Sequence, residues 1–83
     1  MDELDKALQY VGDNIDMVDI EYAVYQADKY HCMPSNVSNV GEKVADLLEE
    51  YGDDNELPEG WWEEYGEIDD IIFKLYEKWQ NQT

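Results

Sequence analysis

Between Glu42 and Asp70 the chain carries 13 carboxylates against one lysine, Lys43, a net charge of −12 over 29 residues. Within that run Glu42, Asp46 and Glu49 or Glu50 recur at three- and four-residue intervals. On a helix such residues stand roughly 5 to 6 Å apart along the axis and form a file of negative charge on a rigid support. Duplex DNA also presents closely and regularly spaced negative charge, about one per 1.7 Å of axis with both strands counted. A protein surface of this kind can occupy a basic groove meant for nucleic acid. Asp53, Asp54 and Glu56 continue the file, and Glu63, Glu64, Glu67, Asp69 and Asp70 extend the surface. Solubility alone does not account for so much charge. Far less keeps a small domain soluble, and an excess destabilises the compact state by self-repulsion.

Trp61, Trp62 and Tyr65 lie among Glu59, Glu63, Glu64 and Glu67, so apolar anchors are ringed by carboxylates. Aromatic residues dominate the energetic centres of protein interfaces, and acidic neighbours steer a basic partner toward them. Adjacent tryptophans on a helix point about 100° apart. One is therefore expected in the core and the other partly exposed, as an anchor.

Other constellations fall short of a site. Asp28, His31 and Cys32, at i, i+3 and i+4, would share one side of a continuing helix as metal ligands, but no second Cys or His completes the set. Across Asp53–Glu64, Asp53, Asn55 and Glu64 match positions one, three and twelve of a calcium-binding loop. Leu57 fails at position five and Pro58 stands where the turn glycine is needed. The Asp-Ser-Leu motif of acyl carrier proteins, the other small acidic helical chains, is absent, as are a Gly-rich phosphate loop and a Ser/His/Asp set. The expected chemistry is binding, with no catalysis, cofactor or metal.

The elements that must carry these residues follow from apolar spacing. Leu4, Ala7, Leu8 and Val11 predict a first helix with Asp2, Glu3 and Asp5 in its opening turn and Gly12 as its stop. Asp13 or Asn14 would cap a second helix reaching Tyr30. Its two apolar stripes are Ile15, Val18, Tyr22 and Tyr25 on one side, and Met17, Ile20, Val24 and Ala27 on the other, which predicts a central helix. Met33-Pro34-Ser35-Asn36 breaks the pattern. A third helix then runs to about Tyr51, with Asn39 and Glu42 as a loose capping box and Gly52 as its stop. Val40, Val44, Leu47, Leu48 and Tyr51 face the core and Glu42, Asp46, Glu49 and Glu50 face water. After an acidic connector from Asp53 to Gly60 and a short turn from Trp61 to Tyr65, the last helix carries the clearest stripe, Ile68, Ile71, Ile72, Leu75 and Trp79. The expectation is one all-α domain over 1–83, a bundle of three or four helices with Leu8, Val24, Val44, Leu47, Leu48, Ile68, Ile72, Leu75 and Trp79 in its core.

Composition narrows the partner. The 83 residues hold 22 Asp plus Glu, 5 Lys and no Arg, for a net charge of −17. Such a chain has no basic patch for phosphates or anionic lipid, which disfavours direct nucleic-acid or membrane binding. With 43% apolar residues, among them 3 Trp, 7 Tyr and 1 Phe, it is expected to fold rather than remain disordered. Only about 60 to 65% of the extended-chain surface is buried in a domain of this size, which leaves little room for an internal substrate cavity. The single Cys32 cannot form an internal disulfide, and no leader or long apolar run is evident, so a cytosolic setting is expected.

The short length, the absence of arginine, the file Glu42, Asp46, Glu49, Glu50 and the stretch Leu57-Pro58-Glu59-Gly60-Trp61-Trp62-Glu63-Glu64-Tyr65-Gly66 resemble small acidic inhibitors encoded by phages and mobile elements. These are the anti-CRISPR and antirestriction proteins, several of them DNA mimics. The resemblance is one of class and carries over no family's functional residues. It implies a stoichiometric inhibitor in a bacterial host cell, bound to a basic nucleic-acid-binding protein such as a CRISPR effector or restriction nuclease. Lys and Arg in such targets can engage carboxylates by charge-assisted bonds. The alternative is an acidic adaptor or antitoxin-like partner covering a basic surface unrelated to nucleic acid. Homodimerisation through exposed Tyr22, Tyr25 or Trp62 is a further expectation.

Overall fold

A computed structural model of the chain describes residues 2–81. Helices α1 (Glu3–Asn14), α2 (Met17–Tyr30), α3 (Val40–Asp54) and α4 (Ile68–Asn81) form an all-α bundle, joined in part by 3₁₀ turns at Pro34–Asn36 and Trp61–Tyr65. No strand occurs among the described residues. Leu4, Ala7, Leu8 and Val11 of α1, Ile20 and Ala23 of α2, Val40, Val44 and Leu48 of α3, and Ile71, Ile72 and Leu75 of α4 pack with Trp61 into one core.

Helix α1 begins as its sequence implies, with the Asp2 carboxylate accepting from the Asp5 N–H at 2.8 Å. Gly12 does not stop it. The helix continues to Asn14, whose side-chain amide donates to the Tyr10 carbonyl at 2.8 Å, and the chain turns extended at Ile15. The cap of α2 is accordingly Asp16, accepting from the Val18 N–H at 3.0 Å, and not Asp13 or Asn14. A helical glycine costs only about 1 kcal/mol relative to alanine, so burial of Val11 against the core suffices to carry the helix past it.

Helix α2 is not central. Ile20, Ala23 and Ala27 are buried, whereas Val18 (65% exposed), Tyr22 and Tyr25 (57%) face solvent. Two alanines on the inner face allow close approach to the bundle. The outer stripe has the same periodicity but no neighbour, and periodicity alone cannot tell the two apart. The helix ends with His31 in a left-handed conformation (φ 56°), its N–H donating to the Ala27 carbonyl. Asp28, His31 and Cys32 therefore do not share a helical side.

The Pro34 turn is held by the Ser35 N–H, which donates to the Asp69 carboxylate of α4 at 2.9 Å. Asn39 precedes α3 with φ 60° and makes no side-chain capping bond, so the expected capping box with Glu42 does not form. Val44 and Leu48 are buried as expected and Leu47 is half-buried. In α4, Ile72 and Leu75 are buried, while Ile68 and Trp79 are half-buried; Trp79 packs its ring against Tyr76, at 6.2 Å between centroids, and stands outside the core. Val24 is likewise half-buried at the core's edge.

Gly52 lies inside α3, and the helix runs on to Asp54. Its role is to leave room: a Cβ there would sit 2.7 Å from Cδ1 and Nε1 of Trp61. Gly52→Ala is expected to destabilise the fold by about 1 to 3 kcal/mol through overpacking. Gly12→Ala is the control. Its Cβ would meet only Leu75 Cδ1 at 3.8 Å, so the change should stabilise by about 0.5 to 1 kcal/mol. Urea unfolding followed by tryptophan fluorescence separates the two, and equal midpoints would contradict the packing.

Candidate functional site

The outward side of α3 presents Glu42, Asp46, Glu49 and Asp53 at i, i+4, i+7 and i+11, opposite the buried Val44 and Leu48. Glu42, Asp46 and Asp53 are exposed and Glu49 is half-buried. Glu50 and Asp54 are also exposed, on the flank nearer α1. These six carboxylates span about 18 Å of helix, four in the outward file about 5 to 6 Å apart and two on its flank. Glu56, Glu63, Glu64, Glu67 and Asp70 continue the exposed surface through the connector and the Trp61–Tyr65 turn. Glu59 belongs with them: it is exposed between Glu56 and Glu63, and the unbroken charge run was the signal for it.

Three of the candidate residues hold the scaffold instead. One oxygen of Glu49 accepts both the Gly60 N–H and the Trp62 indole N–H, each at 2.9 Å. This carboxylate clamps the connector onto α3, so only part of it is available to a partner. Asp69, half-buried, accepts from Ser35 as described. Asp70 reaches back to the Glu67 N–H at 3.3 Å and satisfies a donor at the start of α4.

The two tryptophans divide as expected, and only one belongs to the surface. Trp61 is buried (7% exposed), donates its indole N–H to the Leu48 carbonyl at 3.0 Å, and packs against Tyr51 and Tyr65 with centroids 5.8 and 6.1 Å apart. It is a core residue, not a partner anchor. Trp62 is half-buried and borders an open groove of about 580 Å³ with Gly66 and Ile68, rimmed by Glu63, Glu67 and Asp70.

On the α1 side, the Tyr10 hydroxyl donates to Glu50 at 2.6 Å. That bond, followed by desolvation and the charges of Glu50 and Asp54, pushes the Tyr10 pKa up to about 12. Burial first and Glu3 second raise Tyr51, and burial first and Glu64 second raise Tyr65. Each of these three phenols therefore holds its proton to higher pH than a free tyrosine. The described residues hold five lysines: Lys43 is exposed on α3 itself, Lys78 pairs with Asp5 at 3.1 Å away from α3, Lys74 donates to the Tyr65 carbonyl at 3.2 Å, and Lys6 and Lys29 lie on α1 and α2.

No three His, Cys, Asp or Glu side chains among the described residues are placed to hold a metal ion. No known protein family, curated protein or solved structure matches the chain.

Two outcomes follow. Removing the doubly bonded carboxylate with Glu49→Ala should destabilise by about 2 kcal/mol or more, since bonds to charged groups contribute about 1.5 to 3 kcal/mol each. Asp46→Ala, on the solvent side of the same helix, should be neutral or slightly stabilising; similar urea midpoints for both would show that Glu49 has no clamping role. In an NMR titration, the Tyr10 ring should ionise near pH 12 and return toward 10 in Glu50→Gln. Because the folded pKa is raised, stabilisation from this bond is complete below about pH 10 and disappears as the pH rises through 12. Ionisation of Tyr10 near 10 in the unaltered protein would show that the bond does not persist in solution.

Proposed function

We propose that the protein is a binding protein whose acidic surface substitutes for nucleic acid in the basic site of a nuclease or surveillance complex, blocking DNA access. The observation that carries this reading is the exposed carboxylate file on one rigid helix, with successive charges about 5 to 6 Å apart along its axis. Glu42, Asp46, Asp53, Asp54 and Glu56 form its free part, with Glu63, Glu64 and Glu67 beside it and Trp62 as an apolar anchor. Glu50 contributes charge while bonded to Tyr10.

The energetic logic is that of steering plus packing. Carboxylates aligned on a fixed support raise the encounter rate with a Lys- and Arg-lined groove, and the effect falls as salt screens it. Affinity that survives salt must come from packed apolar groups, for which the Trp62 groove is the nearest source on this face. The resemblance to phage-encoded inhibitors supports a bacterial defence system as the setting, with a CRISPR effector or restriction nuclease as the target class. No helix among the described residues is long and apolar enough to cross a membrane.

The test uses Asp46→Lys and Asp53→Lys together, because neither side chain carries the scaffold and a reversal at Glu49 would also release the connector. Proteins captured from a bacterial lysate at about 100 mM salt, where the Debye length is about 10 Å, would be identified by mass spectrometry. Binding would then be measured with purified target. The double reversal should weaken affinity by about tenfold or more and flatten its salt dependence, and duplex DNA should compete with the unaltered protein. A target that binds DNA and this protein together would defeat the mimic reading and favour an adaptor on a basic surface unrelated to nucleic acid.

A further inference from the structure

A second surface lies between α2 and α4, on elements the acidic file does not use. Val24 and Pro34 contribute to an open groove of about 570 Å³, with Tyr25 and Met33 on one side and Phe73 and Tyr76 on the other. Met33 (48% exposed), Phe73 (45%) and Tyr25 stay about half in solvent, and Val18 and Tyr22, outside the groove lining, are exposed on the same helix as Tyr25. A contiguous set of large apolar side chains left open on a small domain marks an interaction site.

The charges along the groove select its occupant. Glu21, Tyr25 and Asp28 recur at i, i+4 and i+7, so an aromatic ring stands between two carboxylates on one side of α2, spaced over about 10 Å. Both carboxylates line the groove. The Tyr25 ring of this groove already faces a cation, the Lys29 ammonium 5.7 Å from its centroid. A second copy of the chain fits poorly, because a two-fold interface through this groove would bring the Glu21 and Asp28 carboxylates of both copies together between molecules of charge −17.

We infer that this groove binds a basic amphipathic helix of a partner protein, apolar side chains down and Lys or Arg toward Glu21 and Asp28. Apolar anchors at i, i+3 or i+4, and i+7 on such a helix span the same 10 Å or so as the α2 row. Met33 is suited to the adaptable part of the contact, since its unbranched thioether conforms to differing side chains. The site is independent of the acidic file, and the two surfaces can be tested apart.

Cys32, the chain's only cysteine, is exposed and lines the groove, which gives a reporter without mutation. The probe is a 15-residue helical Leu/Lys peptide with leucines at helical spacing, compared with a peptide of equal charge lacking leucine. At saturation the amphipathic peptide should slow alkylation of Cys32 by iodoacetamide about fivefold or more, as expected for mass-action protection, and the control peptide should not. Tyr25→Ala with Phe73→Ala should remove the protection and weaken binding about tenfold, with helicity by circular dichroism unchanged. Asp46→Lys with Asp53→Lys should leave the protection in place. The inference is overturned if alkylation is unaffected by saturating peptide. It is also overturned if only the α3 reversals weaken binding, or if sedimentation shows a dimer that protects Cys32 with no peptide present.

Discussion

The seat of Trp61 over Gly52 is the constraint on which the acidic surface depends. α3 has no side chain where the indole lies, and the indole N–H donates to the Leu48 carbonyl one turn earlier. Burying a tryptophan removes roughly 150 to 250 Å² from water, an upper estimate of about 4 to 6 kcal/mol. That burial fixes the point at which the connector returns to the bundle, and so determines where the carboxylates from Asp53 to Glu67 are displayed. The neighbouring bond from the Leu57 N–H to the Gly52 carbonyl, at 2.8 Å, closes the turn after α3.

Magnitudes show why a chain of charge −17 can remain folded. The six like-charge pairs at i+3 or i+4 among the α3 carboxylates cost about 0.2 to 0.5 kcal/mol each, roughly 1 to 3 kcal/mol together. One buried tryptophan outweighs that. The protein also uses some carboxylates as acceptors for backbone donors that would otherwise lack partners: Glu49 for Gly60, Asp69 for Ser35, Asp70 for Glu67, Asp2 for Asp5 and Asp16 for Val18. Charge therefore has several roles that composition cannot separate. Some carboxylates are structural acceptors for the backbone, others such as Glu50 and Asp5 pair with side chains, and the exposed file on α3 faces outward.

The same distinction explains what could be read along the chain. The stripes of α1, α3 and α4 were legible because local spacing placed Leu4, Ala7, Leu8, Val44, Leu48, Ile72 and Leu75 on inward sides, and burial there follows from spacing alone. The acidic side of α3 was legible for the same reason. The position of α2 was not, because Val18, Tyr22 and Tyr25 repeat with the period of a core stripe and only the arrangement of the other helices leaves them in solvent. The clamping by Glu49 was equally hidden: its donors lie 11 and 13 residues further along, across a connector whose path is set by Trp61. Gly52 looked like a stop signal because glycine after a helix usually is one, and its use as a gap for an aromatic ring is visible only in three dimensions.

Both surfaces set an aromatic ring beside carboxylates, Trp62 beside Glu63 and Glu67 and Tyr25 beside Glu21 and Asp28, but they differ in charge density and in open apolar area. Here the densest charge is on α3 and the connector, and the open aromatic stripe is on α2, with α4 contributing Phe73 to its edge. Long-range steering needs only the first surface, because its field acts over about a Debye length before any contact forms. Residence on a partner needs packed apolar area, which Trp62 supplies sparingly on the acidic side and Tyr25, Met33 and Phe73 supply more fully on the other. A helical scaffold suits this division, because each helix presents opposite sides to different neighbours and the core between them can be kept small.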